Sequence, residues 1–282
     1  MNALVIKDLS KAYKGFKLDN ISLTLPRGCI MGLIGENGAG KTTTIRLILN
    51  SRKRDSGSIE IFGEDNRINF KEKKEDMGVV LDEAYFPDNF TVKQVNVVMK
   101  STYKRWNEEL FYRYIDKLSL PHEKAFKEFS RGMKMKLSIA VALSHDAKLL
   151  LLDEATSGLD PIARDEILNI INDFTRDESN SVLISSHIVS DLEKICDYIA
   201  FLHKGRLVFC EEKDELLEKY GILKCSRADF EAVPPDAVKG VKENNYCIEA
   251  LVERRRIPSV FSVERASIED IIVFIAREGT GR

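Results

Sequence analysis

The sequence predicts an α/β fold with a mostly parallel central sheet, because three short apolar runs each lead into a polar or glycine-rich segment. These runs are residues 29–34, residues 149–152 and the apolar centre, 182–184, of a predicted strand over residues 181–186. The four consecutive leucines of 149–152 are typical of a strand that is buried on both faces. In α/β sheets the ligand-binding groups follow the carboxyl ends of the strands. We therefore expect the chemistry of the protein to lie where these three runs end.

The first run leads into residues 35–42, which have the spacing of a phosphate-binding loop, G-x-x-x-x-G-K-[ST]. Its glycines let successive backbone N–H groups turn toward a phosphate, and the N-terminus of the next helix favours the same anion. A chance glycine-rich turn is the alternative, and the strand before and helix after argue against it. The predicted nucleotide-binding residues are Gly35, Glu36, Asn37, Gly38, Ala39, Gly40, Lys41, Thr42 and Thr43. Lys41 is expected to reach the β- and γ-phosphates, and the Thr42 hydroxyl to bind Mg²⁺.

The second and third runs end in residues that suit hydrolysis of a nucleotide. Asp153 is expected to hold Mg²⁺, directly or through water, and Glu154 to polarise a water for attack on the γ-phosphate. Two helix-capping acids are the alternative, which the phosphate loop disfavours because it requires a carboxylate on the metal side. His187 follows the third run. A lone histidine is usually structural, but at this strand end we expect it to hydrogen-bond the γ-phosphate or its attacking water.

Two further candidates rest on position. Tyr13 is expected in the loop between the first two strands, where it could stack on an adenine ring. An ordinary half-exposed tyrosine fits equally well, and Phe16 is a nearby competitor. Asp82 and Glu83 follow a short predicted strand near residue 80 and could face the phosphate loop across the sheet. Two solvated loop acids fit that pattern equally well.

Residues 85–145 are predicted to form a mostly helical subdomain that is rich in aromatic side chains. Most of these aromatics are expected in its core, and an exposed subset would be a docking surface. A helix opens at residues 129–133, where Ser130 suits the N-cap position. Ser130 and Gly132 offer hydrogen-bond donors to an anion at this helix start, although a capped core helix would have the same sequence.

Bulk properties exclude several classes of protein. A net charge of −2 leaves no strongly basic footprint, so nucleic acid is not an expected partner. Five cysteines without a C-x-x-C pair predict reduced, mostly buried thiols rather than disulfides or a zinc site. The N-terminus lacks the pattern of a signal peptide. No apolar run approaches the ~20 residues of a membrane span, so no membrane-crossing helix is expected.

The character of the chain changes beyond Gly221. Two consecutive prolines interrupt it at 234–235, a strand is predicted over residues 246–252, and isoleucines recur at helical spacing from residue 268. These features predict a small α/β appendage over residues 221–282, after a main domain over residues 1–220. A unit of about sixty residues buries little surface alone, so we expect it to pack against the main domain.

Together these motifs resemble the ATP-binding cassette (ABC) ATPase family over residues 1–220. The phosphate loop, the acidic pair, residues 157–160 (Ser-Gly-Leu-Asp, the SGLD loop) and His187 each match an element of the family pattern. The resemblance implies a P-loop NTPase domain of the ABC type, with a central mostly parallel sheet, an antiparallel β subdomain and a helical subdomain. It also implies that Asp160 lies in a loop between two cassettes and that Tyr13 stacks on adenine.

The family signature Leu-Ser-Gly-Gly-Gln corresponds here to residues 129–133, Phe-Ser-Arg-Gly-Met, which we call the signature segment. Ser130 and Gly132 remain, and the resemblance implies that they cap the nucleotide of a second subunit. Arg131 and Met133 replace a glycine and a glutamine.

The glutamine that the family usually carries after the strand near residue 80 is absent, and Asp82 stands there. Asp82 is therefore a further candidate to face Mg²⁺. The appendage resembles the extra domain of bacterial exporter-type cassettes.

The resemblance implies the nucleotide-binding subunit of a bacterial ATP-driven transporter, with export as the expected direction. Two identical or related cassettes would enclose two Mg·ATP and drive a separately encoded, multi-span permease. That permease would hold the cytoplasmic subunit at the inner face of the membrane, and no metal besides Mg²⁺ is expected. The alternatives are a soluble cassette ATPase acting on nucleic acid or ribosomes, and a low-turnover nucleotide switch. The transported substrate is not predicted.

Overall fold

A computed structural model describes residues 1–82, 86–243 and 247–278 of the chain. Glu83, which we considered as a partner of the phosphate loop, lies outside the described residues.

The described residues form fourteen strands. In chain order these are β1 (Asn2–Tyr13), β2 (Phe16–Pro26), β3 (Ile30–Ile34), β4 (Ser56–Ile61), β5 (Glu64–Asp65), β6 (Met77–Val80), β7 (Leu149–Asp153), β8 (Ser181–Ser186), β9 (Tyr198–His203), β10 (Arg206–Glu212), β11 (Tyr220–Cys225), β12 (Val238–Glu243), β13 (Ile248–Glu253) and β14 (Val263–Arg265).

The same residues form ten α-helices and four short 3₁₀ segments. The α-helices are α1 (Lys41–Ile48), α2 (Phe70–Lys73), α3 (Val92–Thr102), α4 (Glu108–Lys117), α5 (Arg131–Leu143), α6 (Pro161–Phe174), α7 (Val189–Ile195), α8 (Lys213–Lys219), α9 (Arg227–Phe230) and α10 (Ile268–Glu278). The 3₁₀ segments are Lys74–Asp76, Phe126–Glu128, Pro235–Ala237 and Arg254–Arg256.

The central sheet has the order β10-β9-β3-β8-β7-β6, and all neighbours except the β9–β10 hairpin are parallel. The predicted mostly parallel α/β sheet is therefore confirmed. Its register aligns the strand ends, because Ile34 pairs with Ser186 and Asp153 pairs with Ser185. The segments that follow β3, β7 and β8 consequently leave the sheet side by side. Every residue of these three strands is buried, as expected of a central parallel strand.

A second, antiparallel sheet has the order β2-β1-β4-β5 and covers α1 together with one face of the central sheet. In β2 the aliphatic side chains alternate with exposed Ser22 and Thr24, as the period of two predicts. The predicted loop position of Tyr13 is wrong. It is the last residue of β1 and pairs with Phe16, because the two strands continue almost to their shared turn.

Helices α3, α4 and α5 form the helical part of the chain, and their core includes fully buried Phe111 and Ile115. Aromatic rings supply much of this packing, for example the edge-on contact of Phe86 with Phe126 at 5.4 Å between centroids. Helix α5 also packs on β6, which joins the helical part to the central sheet. The start of α5 is therefore held in a defined place relative to the strand ends.

Residues from β11 onward form a third sheet, in the order β12-β13-β11-β14, which α10 covers. The buried face of α10 carries Ile268, Ile271 and Ile272, the helical spacing seen in the sequence. These side chains belong to the same apolar cluster as Leu192 of α7 and Leu216 of α8. The appendage thus shares a core with the main part of the chain.

The five cysteines are free thiols, but the expectation that most are buried is wrong. Only Cys196 is fully buried, beneath β3, and the other four are partly exposed.

Candidate nucleotide-binding site

The phosphate loop leaves β3 and enters α1 through a backbone that needs glycine. Gly38 and Gly40 have φ values of +85° and +114°, a region that other residues rarely adopt. A Cβ at Gly40 would lie 2.9 Å from Leu18 Cδ1 and 3.1 Å from Phe16 Cζ. The loop therefore turns tightly against β2 at Gly40, and its open side lies at the start of α1.

Lys41 is the first residue of α1, and its side chain is only 6% exposed. Its ammonium group donates to the carbonyl oxygen of Gly35 at 2.6 Å and lies 3.1 Å from Oε1 of Glu154. The charge is thus held across the mouth of the loop, between the backbone and a carboxylate. This is the position from which a lysine can reach terminal phosphates.

Asp153 is the last residue of β7 and is completely buried. Its Oδ1 accepts a hydrogen bond from Ser185 Oγ at 2.6 Å, whereas its Oδ2 is buried without a hydrogen-bond partner among the described residues. Burial raises the pKa of the Asp153 carboxyl, and the hydroxyls of Ser185 and Thr42 oppose that rise. An unpartnered buried carboxylate oxygen is costly unless something pairs with it.

A hard divalent cation satisfies that requirement. Mg²⁺ prefers oxygen ligands, and the Asp153 carboxylate and the Thr42 hydroxyl are the oxygen donors beside the start of α1. The residues present therefore fit the ion that the motif implies.

Glu154 stands between a lysine and a histidine. Its Oε2 lies 2.7 Å from Nδ1 of His187, while Oε1 faces Lys41. Glu154 has a φ of +52°, and its N–H donates to the Ser185 carbonyl oxygen and hydroxyl, each at 3.1 Å. The left-handed backbone aims this carboxylate away from the strand and over the phosphate loop. Non-glycine residues in this conformation are concentrated at functional sites.

Lys41, Thr42 and Glu154 line an open cavity of about 540 Å³, the nucleotide cavity. Its lining comprises Gly15, Phe16, Glu36, Asn37, Gly38, Gly40, Lys41, Thr42, Thr43, Asp82 and Glu154. Asp82 therefore faces the phosphate loop. This was one of the two positions considered for it, the other being that of a solvated loop acid. Of the two competing aromatics, Phe16 lines the cavity and Tyr13 does not.

Gly35 and Ala39 belong to the phosphate loop, and Asp153 and His187 adjoin Glu154, although none of these four is part of the lining. Ser130, Gly132 and Asp160 lie at two other helix starts, away from the lining. Ser130 caps α5, and its Oγ accepts from the N–H of Met133 at 3.2 Å. Asp160 caps α6 by accepting from the N–H groups of Ile162 and Ala163. These two hydrogen bonds, the one from Ala163 first, lower the pKa of the Asp160 carboxyl. Within the described chain, Ser130, Gly132 and Asp160 do not border the nucleotide cavity of their own subunit.

Ser185 is the clearest residue that the sequence did not indicate. Its hydroxyl binds both Asp153 and the N–H of Glu154, so it orients the two acids together. The only available signal was its place among the three serines of β8. That signal is weak, because buried serines often bond their own backbone.

Comparisons with known proteins agree with this geometry. The family described as ABC transporter matches residues 18–157. The bacitracin transport ATP-binding protein BcrA of Bacillus licheniformis is 37% identical over 204 residues, which are 71% of this chain and 67% of that protein. The lantibiotic transport ATP-binding protein SrtF of Streptococcus pyogenes is 34% identical over 215 residues, 75% of this chain and 91% of that protein.

Solved structures have the same fold. The structure of an ATP-binding subunit of an ABC transporter superposes with a TM-score of 0.68 at 27% identity, over 76% of this chain and 91% of that one. The ATP-binding cassette MJ0796, solved as a dimer with ADP and Pi, has a TM-score of 0.67 at 18% identity, over 74% and 98% of the two chains. The resemblance that the motifs indicated is thereby confirmed. The chain belongs to the ABC transporter family, as an ATP-binding and ATP-hydrolysing subunit.

Proposed function

We propose that this chain hydrolyses Mg·ATP at the nucleotide cavity, as one of two cassettes that drive export through a separately encoded permease. The observation that carries the catalytic part is the placement of Glu154, whose carboxylate lies between Lys41 and His187 over the phosphate loop. A carboxylate so placed can orient and polarise a water beside the terminal phosphate.

Binding of ATP follows from the loop and α1. The N–H groups of residues 38–42 and the positive end of α1 favour the phosphates, and Lys41 exchanges its carbonyl and Glu154 contacts for phosphate oxygens. Phe16, at the edge of the cavity, offers a ring on which the adenine can stack. Bound Mg²⁺ would neutralise phosphate charge, with Thr42 and Asp153 as its holders and Asp82 as a further candidate.

Glu154 and His187 have separate roles in the proposed hydrolysis. Once Lys41 turns to the phosphates, Glu154 Oε1 is released to accept a hydrogen bond from water, while Oε2 stays with Nδ1 of His187. His187 is 44% exposed, so its ring can also reach toward the γ-phosphate. We assign water activation to Glu154 and orientation to His187.

A second cassette is proposed because part of the predicted site is not at the cavity. Ser130 and Gly132 stand exposed or half-exposed at the start of α5, where free N–H groups favour an anion. We propose that they cap the γ-phosphate bound by the other subunit, with Asp160 in the loop between the two. The second subunit is another copy of this chain or a related cassette.

We further propose residues 1–220 as the cassette and residues 221–282 as a separate domain docked on it. None of the helices in the described chain is long and apolar enough to cross a bilayer. We propose, from the membership in the ABC transporter family, that a permease encoded elsewhere holds this subunit at the inner membrane face. The names of the relatives, which refer to transport of bacitracin and of a lantibiotic, favour a cargo of that kind.

The decisive test is the Glu154→Gln variant. We expect it to bind ATP with an affinity close to that of the wild type, to lose at least about 100-fold in hydrolysis, and to accumulate as an ATP-bound dimer. Steady-state hydrolysis, nucleotide titration and size-exclusion chromatography with Mg·ATP measure these three properties.

Glu253→Gln is the matched control. Glu253 is also a partly buried acid paired with a lysine, 3.0 Å from Lys239, but it lies outside the nucleotide cavity. It should hydrolyse ATP normally. Undiminished hydrolysis in Glu154→Gln would refute the assigned role of Glu154. Affinity purification of the tagged chain from detergent extracts of its host tests the permease, and recovery of ribosomes or nucleic acid alone would refute the transporter role.

A further inference from the structure

Arg131, the first residue of α5, lies flat against the SGLD loop. Its Nη1, Cζ and Nε atoms lie 3.1, 3.2 and 3.4 Å from the point that a Cβ on Gly158 would occupy. Three atoms of one guanidinium at nearly equal distance mean that its plane faces Gly158 from the side on which a Cβ would stand. Gly158 has a φ of +71° and no side chain, so both its conformation and its size permit this contact.

No other group in the described chain competes for the guanidinium of Arg131, because this side chain makes no hydrogen bond or ion pair there. A neighbouring contact reinforces the packing, because a Cβ at Gly132 would lie 3.4 Å from Cδ2 of buried Leu159. Lys136 of α5 and Glu166 of α6 are also joined, at 2.7 Å. The signature segment and the SGLD loop therefore form one packed unit.

This unit connects to the catalytic pair by two routes. Along the chain, Gly158 is four residues after Glu154. Through space, Nη2 of Arg164 donates to the Leu159 carbonyl at 3.2 Å, and its Nε lies 3.6 Å from the Asp191 carboxylate. Asp191 is buried in the first turn of α7, the helix that follows His187.

We propose that Arg131 is a positioning residue that couples the signature segment to Glu154 and His187 of the same subunit. This inference rests on the proposed dimer, in which the signature segment caps the partner's nucleotide. When Ser130 and Gly132 engage that nucleotide, Arg131 carries the displacement to Gly158 and so to the loop that begins at Glu154. Each subunit thereby adjusts its own catalytic pair according to the occupancy of the other site.

The test compares Arg131→Lys with Arg131→Gln. Lysine keeps the charge but has no planar group to lie on Gly158. We expect both variants to lower kcat by about fivefold or more and to bring the Hill coefficient for ATP toward unity. Neither substitution should change the affinity for ATP. This affinity is measured with each substitution introduced into the Glu154→Gln variant, at a protein concentration too low for dimerisation. Wild-type behaviour of Arg131→Lys would overturn the proposal, since the charge alone would then suffice.

A double-mutant cycle with Gly158→Ala tests the contact itself. A methyl group at 158 would meet the guanidinium at 3.1 Å, so the Arg131→Gln and Gly158→Ala effects on kcat should not add. Additive effects would overturn the proposal. Lys127→Gln, which removes an exposed cation just before the signature segment, is the control and should leave cooperativity intact. If the proposed function itself were wrong, the Glu154→Gln variant would form no ATP-dependent dimer, and this outcome is distinct from a failure of the Arg131 proposal alone.

Discussion

Nδ1 of His187 lies 2.7 Å from Oε2 of Glu154, although 33 residues separate the two in the chain. The contact exists because β7 and β8 are parallel neighbours in register, so that residues following both strands leave the sheet together. The other carboxylate oxygen, Oε1, faces Lys41 at 3.1 Å, so the acid bridges the lysine of the phosphate loop and the histidine. The strand pairing alone therefore brings the acid and the histidine together.

We predict that His187→Gln slows hydrolysis by about 100-fold with little effect on ATP affinity, since orientation of the attacking water is lost. His122→Gln is a closely matched control, because His122 is 45% exposed and lies 2.9 Å from Asp116, but belongs to the helical part of the chain. Steady-state kinetics on the two variants makes the comparison. Equal rates in both variants would contradict the role of His187.

The buried carboxylate of Asp153 should lower the free energy of unfolding at neutral pH when no nucleotide is added. Its folded pKa is raised above the ordinary 3.8, so at pH values between the two the folded state holds a proton that the unfolded chain has released. This contribution is therefore most favourable at acidic pH and declines as the pH rises through the raised pKa. We expect Asp153→Asn to have a higher melting temperature than the wild type at pH 7. Each kcal/mol that the substitution adds to the free energy of unfolding should raise the melting temperature by about 2–4 °C.

That advantage should shrink toward pH 4, and thermal unfolding in EDTA between pH 4 and 8 measures it. Asp160→Asn is the opposite case, because hydrogen bonds lower the pKa of the Asp160 carboxyl. Asp160→Asn should therefore bring no gain at pH 7. A lower melting temperature of Asp153→Asn at pH 7 would contradict the argument from burial.

Phe16 and Tyr13 are competing candidates for adenine stacking, and the cavity lining favours Phe16. We predict that Phe16→Ala weakens ATP binding by about tenfold and that Tyr13→Ala weakens it less, as expected for loss of a base–aromatic stack. Titration with a fluorescent ATP analogue measures both. Binding of inorganic triphosphate is the internal control, since it lacks the base and should be unchanged in either variant.

Gly205 should be intolerant of a side chain. It has a φ of +80°, and a Cβ there would collide with the carbonyl oxygen of Lys17. Gly63 has nearly the same φ, +86°, but open space around it. Urea unfolding should show a loss of about 1 kcal/mol for Gly63→Ala, the backbone cost alone, and a clearly larger loss for Gly205→Ala.

Gly205→Ala should also weaken ATP binding, because the Gly205 N–H donates to the carbonyl oxygen of Ala39 in the phosphate loop at 3.1 Å. Gly63→Ala should not. Equal unfolding free energies for the two variants would mean that the β9–β10 turn yields to the added methyl group.

Much of the site could be predicted from the sequence because its chemistry is local. The phosphate loop needs glycines, a lysine and a threonine at fixed spacing, and its conformation depends on residues within one turn of chain. The acids after β7 were identifiable because an all-leucine strand is buried and its carboxyl end is where α/β proteins bind ligands. The parallel sheet followed from the same apolar runs.

Only the tertiary structure decided which strand ends are neighbours, because strand order depends on pairings between residues far apart in sequence. It placed Lys41, Glu154 and His187 within reach of one another and identified Ser185 as the residue that orients the acids. It also distinguished Phe16 from Tyr13, since the β1–β2 register decides which of them borders the cavity. The contact of Arg131 with Gly158 is of the same kind, because it requires α5 and the SGLD loop to pack together.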